Sequence, residues 1–106
     1  EGKLPDLNLG TGKGSSCDAE LAESVYGIAQ QAPGLTAILN GRFTGGYITR
    51  QYGQPADGVQ AIQLEMTQSS YMQEALPFDY LPDVASKVQP TLRRMLETVL
   101  AYVEKR

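Results

Sequence analysis

The chain has 106 residues, with nine Lys+Arg against twelve Asp+Glu, a net charge of −3, and 42% hydrophobic residues. That is one domain's worth of sequence, too apolar for disorder, and its acidic balance argues against a nucleic-acid groove or an anionic membrane as partner. It holds no histidine, which excludes His general bases, Ser-His-Asp and Cys-His nucleophiles, and His-ligated metals within these residues.

Leu7 to Leu9 reads as a short strand, followed by the Gly/Ser-rich turn Gly10-Thr-Gly-Lys-Gly-Ser15. Leu21, Ala22, Val25, Ile28 and Ala29 then recur at helical spacing, with Ser15 or Ser16 as the expected N-cap and Asp18 and Glu20 in the first turn. Pro33-Gly34 stops that helix. Leu35 to Leu39 is a compact apolar strand, Asn40-Gly41 a turn signal, and Gly45 to Thr49 reads as glycines leading into a short extended segment.

Val59 to Met66 alternates strictly, with Ile62, Leu64 and Met66 on a core face and Ala61, Gln63 and Glu65 on the other. After a turn-rich stretch from Pro77 to Pro82, Val84, Val88, Leu92, Met95, Leu96, Val99 and Val103 mark an amphipathic C-terminal helix. Pro90 either kinks that helix or starts its main segment. The order predicts a single α/β domain over 1–106, with a small mixed, mostly parallel sheet flanked by helices. No apolar run reaches the roughly 18 residues of a membrane span and no signal-peptide core is present, so a cytoplasmic location is expected. The chain opens on Glu1 and not on Met, so sequence upstream of it is expected as well.

Few residues carry chemistry. Cys17 is the only cysteine, so no intrachain disulfide or paired-cysteine motif exists. A helix N-terminus lowers a thiol pKa, but with no His beside it Cys17 reads as a small, partly buried residue. The Gly10 to Ser15 stretch has glycines and Lys13 between a strand and a helix, yet its spacing is G-x-G-x-G. A phosphate loop needs four residues between glycines and then Gly-Lys-[ST], so a plain strand-to-helix turn is the better account. Glu65 near the end of a strand believed central occupies the edge where open α/β sheets place sites; equally, it is a carboxylate reaching water. Arg42 and Arg50 bracket a glycine-rich loop with Gly45 and Gly46, and arginine grips carboxylates bidentately.

Asn40-Gly-Arg-Phe-Thr-Gly-Gly-Tyr-Ile-Thr-Arg50, Tyr52-Gly53, Gln63-Leu-Glu-Met66 and Tyr71-Met72 closely resemble N-formylglutamate amidohydrolases. These are zinc hydrolases that release formate from N-formylglutamate late in histidine breakdown. Leu4-Pro-Asp-Leu-Asn-Leu-Gly-Thr11 and Ser16-Cys17 look like the same family, and the resemblance runs over essentially the whole chain. It implies the C-terminal part of a fold similar to zinc carboxypeptidases, with a small carboxylate substrate. By that resemblance Glu65 is the general base, Arg50 and then Arg42 hold substrate carboxylates, and Tyr47, Gly45 and Gly46 line the pocket.

The family's zinc ligands lie upstream of the matched region, so the resemblance implies no metal site or cofactor in this chain and no activity for it alone. Gln51 and Gln60 stand where family members commonly carry His; an amide keeps hydrogen-bonding capacity but neither titrates near neutrality nor ligates zinc well. The alternative is a stand-alone, non-catalytic remnant serving as a binding domain. Its uncovered strand edges would favour a homo-oligomer.

Overall fold

The structure is a computed structural model, which describes residues 4–105; Glu1 lies outside the described residues. Strand β1 (Leu7–Gly10) leads through a turn into helix α1 (Ala19–Gln30), then strand β2 (Ala37–Leu39), short helix α2 (Tyr47–Tyr52), strand β3 (Gln63–Met66) and long helix α3 (Pro82–Glu104). The strands lie in the order β2-β1-β3. β1 runs parallel to β2 and antiparallel to β3. The sheet is therefore mixed, as expected, but with one pairing of each kind it is not mostly parallel.

Register gives the sheet two distinct faces. Leu7 lies opposite Met66 and Ala37, and Leu9 opposite Leu64 and Leu39. These side chains share one face and pack on Leu21, Val25 and Ala29 of α1 and on Val88 and Met95 of α3, which form the core. Asn8 lies opposite Glu65 and Ile38, and Gly10 opposite Gln63, on the other face. The Ile62, Leu64 and Met66 side packs on the core as its alternation predicts, while Glu65 is exposed.

Several element ends differ from the sequence reading, each for a tertiary reason. α1 is capped by Asp18, not by Ser15 or Ser16. The Ser15 hydroxyl donates to the Gly12 carbonyl and the buried Ser16 hydroxyl to the Ala61 carbonyl at 2.9 Å, so neither is free to cap. Gln60 occupies the cap instead: its Oε1 accepts the Asp18 N–H at 2.7 Å, and its Nε2 donates to Asp18 Oδ2. Tyr102 of α3 donates its hydroxyl to the same carboxylate oxygen at 2.6 Å, which ties the end of α3 to the start of α1.

The two predicted strands beyond β1 are shorter than expected. Thr36 gives its N–H and hydroxyl to Asp6 and keeps only its carbonyl for β1, where it accepts the Leu7 N–H, and Ala61 donates its N–H to the Ser16 carbonyl. Asp6 is a buried carboxylate that the sequence reading did not single out. Its Oδ2 accepts the Thr36 N–H and hydroxyl, and its Oδ1 the Thr67 hydroxyl, which fastens the start of β2 to the end of β3. Pro90 does not start α3; the helix runs from Pro82 to Glu104 with Pro90 inside it and exposed. Among the described residues, no helix is long and apolar enough to cross a membrane.

Candidate active site

The site is built on the sheet face opposite the core, and its first determinant is a missing side chain. A Cβ on Gly10 would lie 2.6 Å from the Thr44 carbonyl carbon and 2.8 Å from the Gly45 nitrogen. The chain leaving β2 therefore crosses directly over the end of β1. Two hydrogen bonds hold it there: Gly12 N–H to the Thr44 carbonyl at 2.6 Å, and Gly46 N–H to Gln63 Oε1 at 2.7 Å. Gly45 takes φ +120° at the crossing, a conformation side chains disfavour.

The segment expected to be extended after these glycines is helix α2. Gly46 alone is extended, as the N-cap, and the helix begins at Tyr47. Ile48 and Thr49 favour strands by type, but Thr49 is buried against the crossing at Gly45, and a Cβ on Gly53 would overlap Ser16. Docking at both ends overrides the local preference. α2 then presents Tyr47, Ile48 and Tyr52 to solvent at 60–73% exposure. Arg50 turns back from it, with Nη1 donating to the Gly45 carbonyl at 3.1 Å.

Glu65 follows Gln63 by two residues on the same strand face, about 7 Å along β3. Gln63 holds Gly46, so Gly45, Gly46, Tyr47 and Arg50 form a lip on the sheet face that also carries Glu65. The carboxylate is exposed, and the Glu65 carbonyl accepts the Asn8 side-chain N–H at 3.3 Å. Arg42 lies exposed in the turn that leads to the lip.

One positional expectation is corrected. In the three-stranded sheet β3 is an edge strand, not a central one. Because it runs against β1, Glu65 stands beside Asn8 near the start of β1, away from the Gly10 to Ser15 turn.

The neighbouring turn binds itself. Asn40 Oδ1 accepts the Thr11 and Lys13 N–H groups, and Asn40 Nδ2 donates to the Thr11 hydroxyl. Gly14 and Ser16 donate to the Thr11 carbonyl, and Ser15 to that of Gly12. These amides point at chain acceptors, so the plain-turn reading of Gly10 to Ser15 matches the geometry. Asn40 was legible in sequence only as a turn signal; its role as organiser comes from a partner 29 residues away. Asn8 is also new: it is buried, and its Oδ1 has no hydrogen-bond partner among the described residues.

Of the two glutamines at family His positions, Gln51 is exposed on α2 and Gln60 serves the α1 cap described above. Among the described residues no group of three His, Cys, Asp or Glu side chains could hold a metal ion.

Cys17 is buried, and burial, assisted by the neighbouring Asp18 carboxylate, pushes its thiol up to about 11 from 9.0. A raised folded-state pKa leaves stability unaffected below about pH 9 and removes it as pH rises toward 11. Equilibrium unfolding at pH 8, 9, 10 and 11 should show a loss in the native chain that Cys17→Ser lacks. At pH 7.5 a soluble disulfide reagent should label Cys17 at least tenfold more slowly than a free cysteine.

Comparisons with known proteins bear on the sequence and the fold. The sequence profile described as N-formylglutamate amidohydrolase matches residues 1–72. The chain is 51% identical over 102 residues to an N-formylglutamate deformylase from Pseudomonas putida, covering 96% of this chain and 38% of that protein. It is 47% identical over 106 residues to one from Pseudomonas aeruginosa, covering all of this chain and 40% of that one. A crystal structure of N-formylglutamate amidohydrolase from Ralstonia eutropha JMP134 superposes with a TM-score of 0.82 at 25% identity, over 98% of this chain and 36% of that one. The chain thus spans about two-fifths of the length of the curated relatives. It belongs to the N-formylglutamate amidohydrolase family.

Proposed function

We propose that the chain is the C-terminal portion of a zinc-dependent N-formylglutamate deformylase, a cytoplasmic enzyme that hydrolyses N-formylglutamate to glutamate and formate in histidine breakdown. The observation that supports this most directly is the shared sheet face: Gln63, two residues before Glu65 on β3, holds Gly46 of the lip that carries Arg50, in a chain 51% identical to a deformylase.

Glu65 is the general base. Its carboxylate takes a proton from the water that attacks the formyl carbon, and the same proton passes to the amide nitrogen as the C–N bond breaks. Formate leaves with the water oxygen, and the amine of glutamate is released. An exposed carboxylate on a strand suits this role, since a strand holds its position better than a loop. Arg50, with Arg42 second, pairs with the substrate carboxylates through the two parallel N–H donors of a guanidinium. The Arg50 contact with the Gly45 carbonyl pre-orients it without using all five donors. Tyr47 lines the approach.

The side chains of this chain do not fit a zinc site. It has no histidine, and its one thiol is buried and hard to ionise. The ligands of the family's zinc therefore belong to other parts of the fold, and the chain alone is expected to release no formate. The test joins the 106 residues to the remainder of the P. putida deformylase in place of its matched segment. Zinc-dependent formate release from N-formylglutamate is the expected result. A folded hybrid with no release would overturn the catalytic reading and favour a non-catalytic binding domain.

A further inference from the structure

Gln63 has a side-chain amide of which only half is used. It is half-buried on the sheet face opposite the core and lies across from Gly10, so β1 brings no side chain against it. The Gly46 N–H is a donor, so the Gln63 oxygen is the atom that faces it, at 2.7 Å. Nε2 donates to no acceptor among the described residues and keeps both of its N–H groups. Because an amide is planar, the bond to Gly46 also fixes the plane in which those two donors lie.

Position and charge together select what the donors meet. The lip crosses over the Gly10 end of β1, so the order along the face is Glu65, then Gln63, then the lip that bears Arg50. With Glu65 acting at the formyl carbon and Arg50 on a carboxylate, Gln63 stands beside the group that joins them, the formamide. A formamide offers one acceptor, the formyl oxygen, and one N–H donor. Nε2 has donors and no acceptor, so it is matched to the oxygen. The product glutamate carries an ammonium at the same point, which has donors alone and finds no acceptor there.

We propose that Gln63 recognises the formyl oxygen: Nε2 donates to it while Oε1 anchors Gly46. The same side chain thereby holds the lip and separates the N-formyl substrate from the free-amine product. The bond strengthens as the oxygen gains negative charge during attack. The inference rests on the deformylase reading proposed above and adds a substrate contact to it.

The test uses the joined protein in the Glu65→Gln background, titrated by calorimetry with N-formylglutamate and, separately, with glutamate. With Gln63 in place, N-formylglutamate should bind at least tenfold more tightly than glutamate. Gln63→Met removes the donors without adding charge, and the preference should fall at least tenfold. Gln63→Glu keeps an acceptor for Gly46 but turns the donors into an acceptor suited to an ammonium, so the preference should reverse. Amide exchange at Gly46 in the chain alone reads the lip: protection should persist in Gln63→Glu and drop at least tenfold in Gln63→Met.

The ratio of the two affinities separates recognition from anchoring, because a displaced lip weakens both ligands alike through their shared carboxylates. A ratio that stays within threefold of the native value in both variants would overturn the proposal and leave Gln63 as an anchor alone. Formate release by the joined protein with Glu65 retained reports on the catalytic reading separately. An inactive protein whose ligand preference follows Gln63 counts against that reading alone; an active one whose preference ignores Gln63 counts against this proposal alone. A joined protein that binds neither ligand would overturn both.

Discussion

Glu65→Gln in the chain joined to the rest of a deformylase is expected to lower the kcat for formate release by about 10²–10⁴-fold, the usual worth of a general base. KM should change little, because the proposed function assigns the substrate carboxylates to the lip and not to β3. The substitution is a clean one. Glu65 is exposed, no hydrogen bond depends on its carboxylate among those described, and its backbone carbonyl, which Asn8 uses, is untouched. Gln retains the shape and loses the capacity to take a proton. A variant that keeps most of its kcat would show that the base is another group.

The second large effect is structural. Gly10→Ala is expected to destabilise the chain by about 3 kcal/mol, the upper end for overpacking, which is roughly 10–20 °C in thermal unfolding for a domain of this size. The new Cβ meets backbone on the Thr44–Gly45 crossing at 2.6–2.8 Å, and no side-chain rotation relieves it. The crossing cannot easily rise, because Gly12 and Gly46 bond it at 2.6 and 2.7 Å. Movement there displaces Gly46 and with it the start of α2, so the joined enzyme should also lose kcat/KM.

Gly27→Ala supplies the opposite sign. Gly27 lies within α1 with open space around it, and alanine there should stabilise by roughly 0.5–1 kcal/mol. Calorimetry on the three proteins decides the matter; equal melting temperatures for Gly10→Ala and the native chain would remove the crossing from its central place.

Much of the fold was legible because its signals are local. Leu21, Val25 and Ala29, and Val88 and Met95, announce their helices by spacing, and all five are buried in the core. The alternation through Ile62, Leu64 and Met66 correctly separated a core face from the face of Glu65. The family string from Asn40 to Arg50 marked the lip residues without showing their shape. α2 was hidden because Ile48 and Thr49 prefer strands, and only burial of Thr49 and the contact of Gly53 with Ser16 select a helix. The cap at Asp18 was hidden because Ser16 is claimed by a carbonyl 45 residues away.

The direction of β3 was equally out of reach. More than twenty residues separate it from β2, enough chain to enter the sheet in either sense. The antiparallel choice moves Glu65 to the Asn8 end of β1, and the strand order makes β3 an edge with an open groove behind it.

By itself the sequence determined the chemical limits of this protein: with no histidine and one cysteine, these residues supply neither a His-ligated metal nor a paired-cysteine centre. It also marked most of the side chains that turn inward, because periodicity is written along the chain, although Leu96 and Val103 of the α3 stripe are exposed. Only the tertiary structure decided how Gly10, Gln63 and Asn40 bring the lip over the sheet. Those contacts join residues 17 to 35 positions apart, and close approach between distant segments follows from packing, which no local pattern encodes.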